Sequence, residues 1–111
     1  MKEYYDVRWS ETSENDLLSI VEYIAIENPY QAYEIFKEIK KQASGLRTFP
    51  DRGRIVPELL DQGITLYREL IIAPWRIMYR VSEKTVYVLS VLDSRQNVED
   101  ILLRRLTGLK L

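Results

Sequence analysis

The sequence predicts one α+β domain, with a helical hairpin and a C-terminal helix packed on a mainly antiparallel four-stranded sheet. The element order is β-α-α-β-β-β-α, and three observations carry it. First, Leu66 to Arg95 holds three short apolar runs, rich in β-branched and aromatic residues and parted by Ala73-Pro74 and by Ser82-Glu83-Lys84. Runs of that length and type read as strands joined by hairpin turns. Second, two earlier stretches repeat apolar residues at helical spacing. Third, 111 residues of which 46% are apolar suit a single core, so the whole chain, 1–111, is expected to be one domain.

Composition excludes several function classes. No run reaches the 18 or so apolar residues of a membrane span, and the charged, alternating start MKEYYDVRW lacks the apolar core of a secretory signal. No membrane partner is expected. Cysteine is absent, which removes disulfides, thiolate nucleophiles and cysteine metal sites and fits a reducing, cytoplasmic setting. Histidine is absent too, so the usual general acid/base and the commonest metal ligand are both missing. The acidic residues show no metal-ligand spacing, and neither metal nor cofactor is expected. With 16 basic and 17 acidic residues, the net charge of −1 gives no overall field to draw in nucleic acid.

In the first strand Tyr5, Val7 and Trp9 alternate with Asp6 and Arg8, the pattern of a half-buried strand. Ser10, Thr12 and Ser13 can cap a helix, and Leu17, Ile20, Val21 and Ile24 give it an apolar face to about Glu27. Asn28-Pro29 ends that helix and starts the next, with proline at a position where its missing N–H costs nothing. Ala32, Ile35, Phe36, Ile39, Ala43 and Leu46 form the stripe of the second helix, which ends before Pro50. Pro50-Asp51-Arg52-Gly53 is a turn cluster, and Ile55 to Leu60 fits either a short extended piece or a helical turn.

In the three-strand meander, Leu66, Arg68, Leu70 and Ile72 share a face of the first strand. Trp75, Ile77, Tyr79 and Val81 share one face of the second, with Arg76, Met78 and Arg80 on the other. A two-residue turn at Ala73-Pro74 puts Arg68 and Arg76 on opposite faces, whereas a three-residue turn unites them. Thr85 to Leu92 is nearly all apolar, as for a strand covered on both sides. Asn97 caps a last helix whose apolar face is Val98, Ile101, Leu102 and Leu106, and Gly108 ends it.

Several phrases stand in a telling order: Asp16-Leu17 and Tyr23-Ile24-Ala25; Pro50-x-x-Gly53-Arg54-x-Val56-Pro57-Glu58-Leu59; Tyr67-Arg68-Glu69-Leu70. Trp75-Arg76-Ile77-x-Tyr79-Arg80 and Asp93-x-Arg95 complete them. With them the chain resembles, over nearly its whole length, the RelE/ParE superfamily of bacterial and archaeal toxins. The resemblance implies the toxin of a type II toxin–antitoxin pair, of the kind tied to plasmid stabilisation, neutralised by a small cognate antitoxin. One branch of the superfamily cleaves mRNA on the ribosome, and the other poisons DNA gyrase.

Cleavage by 2′-hydroxyl attack needs a proton acceptor, cations for the transition state and an acid for the leaving oxygen. Histidine-poor members of the nuclease branch supply these with lysines, arginines and a C-terminal tyrosine. Carried over by position, the candidate catalytic residues are Arg68, Arg76 and Arg95, with Tyr67, Tyr79 or Glu69 as proton-transfer groups. Leu70 stands where a second basic residue is often kept, and Ile101 where the tyrosine would be. Those departures and the absent basic charge favour the gyrase-directed branch. The alternatives are a ribosome-dependent, metal-independent endoribonuclease and an inactive toxin-fold interaction module. Arg68 equally suits an ion pair with Glu58, and Arg95 one with Asp93, while Trp75, Tyr79 and Tyr87 read as core or sheet aromatics. All three readings imply an exposed apolar groove for a partner chain, which if uncovered supports a homodimer.

Overall fold

Strand β1 (Asp6–Trp9) opens the fold in a computed structural model that describes residues 4–108. Ser10 caps helix α1 (Glu11–Ala25), its Oγ accepting the Ser13 N–H at 3.1 Å. Asn28 caps helix α2 (Pro29–Ser44) through the Gln31 N–H at 3.0 Å, with Pro29 in the first turn. Both cap signals in the sequence are therefore used. A 3₁₀ turn (Gly45–Arg47) follows α2. The segment that fits either an extended piece or a helical turn contributes both: strand β2 (Arg54–Ile55), then helix α3 (Pro57–Leu60). Strands β3 (Tyr67–Ile72), β4 (Trp75–Ser82) and β5 (Thr85–Asp93) form the meander, and helix α4 (Val98–Leu106) closes the chain.

The sheet has five strands, in the order β1-β5-β4-β3-β2, not four. The added strand is β2, whose two residues pair antiparallel with Glu69 and Arg68. Strand β1 runs parallel to β5, the pairing that a helical crossover permits, and every other pair is antiparallel.

Register decides the faces. Ile72 pairs with Trp75, so the β3–β4 turn has the two residues Ala73-Pro74, and Arg68 lies opposite Tyr79 while Arg76 lies opposite Ile71. Even positions of β3 therefore share a face with odd positions of β4. That face packs under the helical hairpin, in a core that includes Leu17, Ile39, Leu46, Leu70, Ile77, Tyr79 and Val88. The opposite face carries a second core, of Met78 and Leu92 under Val56 just before α3, Leu59 of α3, and Val98 and Leu102 of α4. Phe36, counted in the α2 stripe, stays exposed.

A bulge at Leu89 breaks the β4–β5 ladder: Met78 pairs with Ser90 and Tyr79 with Val88. The N-cap and the first two turns of α1 cap it. Ser13 Oγ donates to the Val88 carbonyl at 2.8 Å, Ser10 Oγ donates to the Leu89 carbonyl at 3.3 Å, and Asp16 accepts the Val91 N–H at 2.9 Å. The Asp16 of the Asp16-Leu17 phrase is thus a splint for an irregular strand. Among the described residues no helix is long and apolar enough to cross a membrane.

Candidate functional site

The sheet face away from the helical hairpin carries the unusual chemistry. Alternation puts Tyr67, Glu69 and Ile71 of β3 beside Arg76, Met78 and Arg80 of β4. Glu69 is buried to 1% exposure in the middle of this face. Its two oxygens take hydrogen bonds from Arg76 Nε and Arg54 Nε, each at 2.7 Å. Arg76 also grips Glu58 of α3 in bidentate fashion, at 2.7 and 2.6 Å. Two arginines and two glutamates thus form a charge-balanced quartet, linked in the order Arg54, Glu69, Arg76, Glu58.

These bonds favour the charged forms. Hydrogen bonds from Arg76 hold Glu58 below the usual carboxylate range, and the two glutamates hold the Arg76 guanidinium well above its ordinary value. Arg76 and Glu69 are both buried, and all three nitrogens of the Arg76 guanidinium donate within the quartet. Chemically the quartet is a brace between α3, β2 and the meander.

Beside the quartet lies an open groove of about 890 Å³ between β4, β5 and α4. Buried Leu59, Met78 and Leu102 reach it from below, and Tyr67, Tyr87 and Leu106 from its sides. Tyr87, expected as a core or sheet aromatic, is 41% exposed at this opening. Arg105 of α4 crosses one end, donating to Asp16 at 2.8 and 3.1 Å and to Ser90 Oγ at 2.9 Å. Arg80 stands between Tyr67 and Tyr87 in the register and also lines the groove.

The three arginines singled out in the sequence do not gather. Arg68 is on the hairpin side, donating to the Gly53 carbonyl at 2.8 Å, and its expected ion pair with Glu58 is made by Arg76 instead. Arg76 is locked in the quartet on the far face. Arg95 lies past the end of β5, its side chain 78% exposed and clamped to Asp93 at 2.5 Å. That clamp and the Arg95 N–H pull the Asp93 carboxyl down to about 2.

The proton-transfer candidates are also occupied or apart. Tyr79 is fully buried; its hydroxyl accepts the Gly53 N–H at 2.8 Å and donates to the Pro50 carbonyl at 2.7 Å. Burial raises its phenol above the ordinary range. Glu69 is filled by two arginines, and only Tyr67 opens on the groove. Ile101 packs against the α4-side core. No cluster of three or more potential metal ligands occurs among the described residues.

Arg80 and Arg105 belong to the groove without having been site candidates. Arg80 carried a signal, since it alternates with Arg76 and Met78. Arg105 carried none, because its partner Asp16 lies 89 residues away.

A helical hairpin thus covers one face of a five-stranded sheet, and a short C-terminal helix flanks a groove on the other. The family model described as the ParE toxin of the type II toxin–antitoxin system, parDE, matches residues 7–98. The chain belongs to this ParE toxin family and is a toxin of the type II class. Among solved structures it is similar to the chromosomal ParDE toxin–antitoxin system of P. aeruginosa, at TM-score 0.69 and 19% identity. That likeness covers 81% of this chain and 96% of the other. It is also similar to the toxin–antitoxin complex RelBE2 of Mycobacterium tuberculosis, at TM-score 0.60 and 23% identity, over 84% and 94% of the two chains. At those identities the two structures speak for the fold. No curated protein sequence matches the chain.

Proposed function

We propose that this toxin inhibits a replication target such as DNA gyrase, acts in the cytoplasm, and is neutralised by a small cognate antitoxin. The observation that carries the choice of target is the dispersal of Arg68, Arg76 and Arg95. A phosphorane-like transition state needs several cations converging on one phosphate. Here one arginine serves a loop carbonyl, one is enclosed by two glutamates, and one is clamped to Asp93. Ile101 in place of a tyrosine and a net charge of −1 support the same reading. The antitoxin draws support from the family and from the two solved toxin–antitoxin assemblies of the same fold.

Two reactions run in parallel with the purified, antitoxin-free protein test the target. In the first, gyrase supercoils relaxed plasmid DNA; in the second, mRNA 5′ ends are mapped on bacterial ribosomes. Loss of supercoiling or accumulation of cleaved DNA, with no new RNA ends, is expected. New ends at codon-phased positions that vanish in Arg95→Ala would establish the nuclease and overturn the proposal.

A further inference from the structure

We infer that the groove receives a segment of the neutralising partner chain that seats one carboxylate on Arg80, flanked by large apolar side chains. The inference rests on the toxin–antitoxin reading above and assigns that partner a site and a chemistry. Arg80 is the key. Its Nε is buried with no hydrogen-bond partner, and the side chain makes no ion pair with any described residue. The other arginines that open on this face are matched: Arg54 and Arg76 by Glu69 and Glu58, Arg105 by Asp16, and Arg8 by Asp6. The rest of the guanidinium lines the groove with no carboxylate among the described residues to match it, and a cation set in an apolar wall without a counter-charge is a vacancy in the charge pattern that a partner's carboxylate can fill at the terminal nitrogens.

The surroundings select the kind of occupant. Leu59, Met78 and Leu102 below, with Tyr67, Tyr87 and Leu106 at the sides, make a wall of the aliphatic and aromatic types that anchor protein chains. A nucleic acid strand carries one charge per nucleotide and calls for a row of free cations. Among the described residues this groove has one. A two-fold dimer of the toxin through the same patch would set the uncompensated positive charge of each copy against that of the other. A partner segment with one Asp or Glu between apolar residues supplies the missing counter-charge at the terminal nitrogens of Arg80 and covers the wall together.

The test uses the full-length toxin and, as probe, the short chain encoded beside its gene, both intact and as tiled 15-residue synthetic peptides. Arg80→Met keeps the apolar stem and removes the unmatched donor, so the variant is expected to fold with an unchanged or raised Tm. Its affinity for the probe is expected to fall by roughly 30-fold or more, the loss typical of a truncated buried charge pair. One Asp→Asn or Glu→Gln change in one peptide should reproduce that loss, and the two changes together should not add. Affinity within threefold of wild type for Arg80→Met overturns the inference and leaves the toxin–antitoxin reading standing. Failure of the wild-type toxin to bind the neighbouring chain at all overturns both. A concentration-dependent toxin dimer broken by Arg80→Met, or a single-stranded oligoribonucleotide released by it, would reassign the groove and overturn the inference as well.

Discussion

Arg76→Ala separates the structural from the chemical reading of the buried quartet. The Arg76 guanidinium makes three hydrogen bonds of 2.6–2.7 Å, its side chain is 8% exposed, and the Glu69 side chain it holds is 0% exposed. Truncation leaves Glu69 buried with Arg54 as its remaining counter-charge, and Arg54 is itself 55% exposed. Breaking a buried ion pair from one side costs roughly 3–5 kcal/mol. At roughly 3–5 °C per kcal/mol for a chain of this length, Tm should fall by roughly 10–25 °C. Removing both charges is different, because an ion pair replaced by apolar groups of similar volume is often neutral. In Arg76→Met, Glu69→Met the outlying Arg54 and Glu58 can turn to water, and the cost should shrink to about 1 kcal/mol. Calorimetry gives the Tm values, and induced expression in bacteria gives growth arrest. The double variant is expected to fold and still arrest growth. A wild-type Tm for Arg76→Ala would refute the energetic reasoning. A well-folded double variant that no longer arrests growth would refute the assignment of Arg76 as a brace.

Three further outcomes follow from the geometry. Tyr79→Phe leaves the buried Gly53 N–H without its acceptor and should lower urea stability by roughly 1–3 kcal/mol, and Gly53→Ala should cost more, because a Cβ there meets the Glu69 carbonyl at 2.5 Å and the Tyr79 hydroxyl at 2.7 Å. Arg95→Ala should bring Asp93 from about 2 up toward the usual 3.8, read by NMR titration of its carboxyl. Since the folded value is the depressed one, the pair's small contribution is present above about pH 4 and lost as pH falls through about 2, so wild type and variant should converge in stability below that. Asp16→Asn loosens both the Arg105 clamp and the Val91 N–H bond, and amide exchange in α4 should quicken by roughly tenfold at unchanged fold.

Much of the fold was legible because most elements announce themselves locally. Ser10 and Asn28 cap as their types suggest, the α2 stripe buries Ala32, Ile39, Ala43 and Leu46, and the meander lies where its β-branched runs place it. The failures have local causes too. Strand β2 is two residues long and has no period to read. The run from Thr85 to Leu92 is so uniformly apolar that nothing in it marks Leu89 as the extra residue. The facing of Arg68 relative to Arg76 turned on a single residue of turn length, and one residue inverts every side chain beyond it.

The site was harder for a different reason. Arg76 and Arg80 are the same residue type on the same strand face, four positions apart, and no local rule tells them apart. What separates them is the company the fold brings. Arg76 meets Glu69 across the β3–β4 hairpin and Glu58 from α3, 18 residues away in sequence, and becomes part of the scaffold. Arg80 falls opposite Tyr67 on one side and Tyr87 on the other, and no carboxylate among the described residues reaches it. Its availability is thus set by cross-strand register, which a one-residue slip would exchange. A carboxylate placed beside it by substitution should therefore behave as an internal competitor. In Tyr67→Glu the new side chain, directly opposite Arg80 on the same face, can pair with it and fill the vacancy. Such a variant should gain stability from the new pair while losing the partner chain, an opposition that loss of apolar wall alone would not produce.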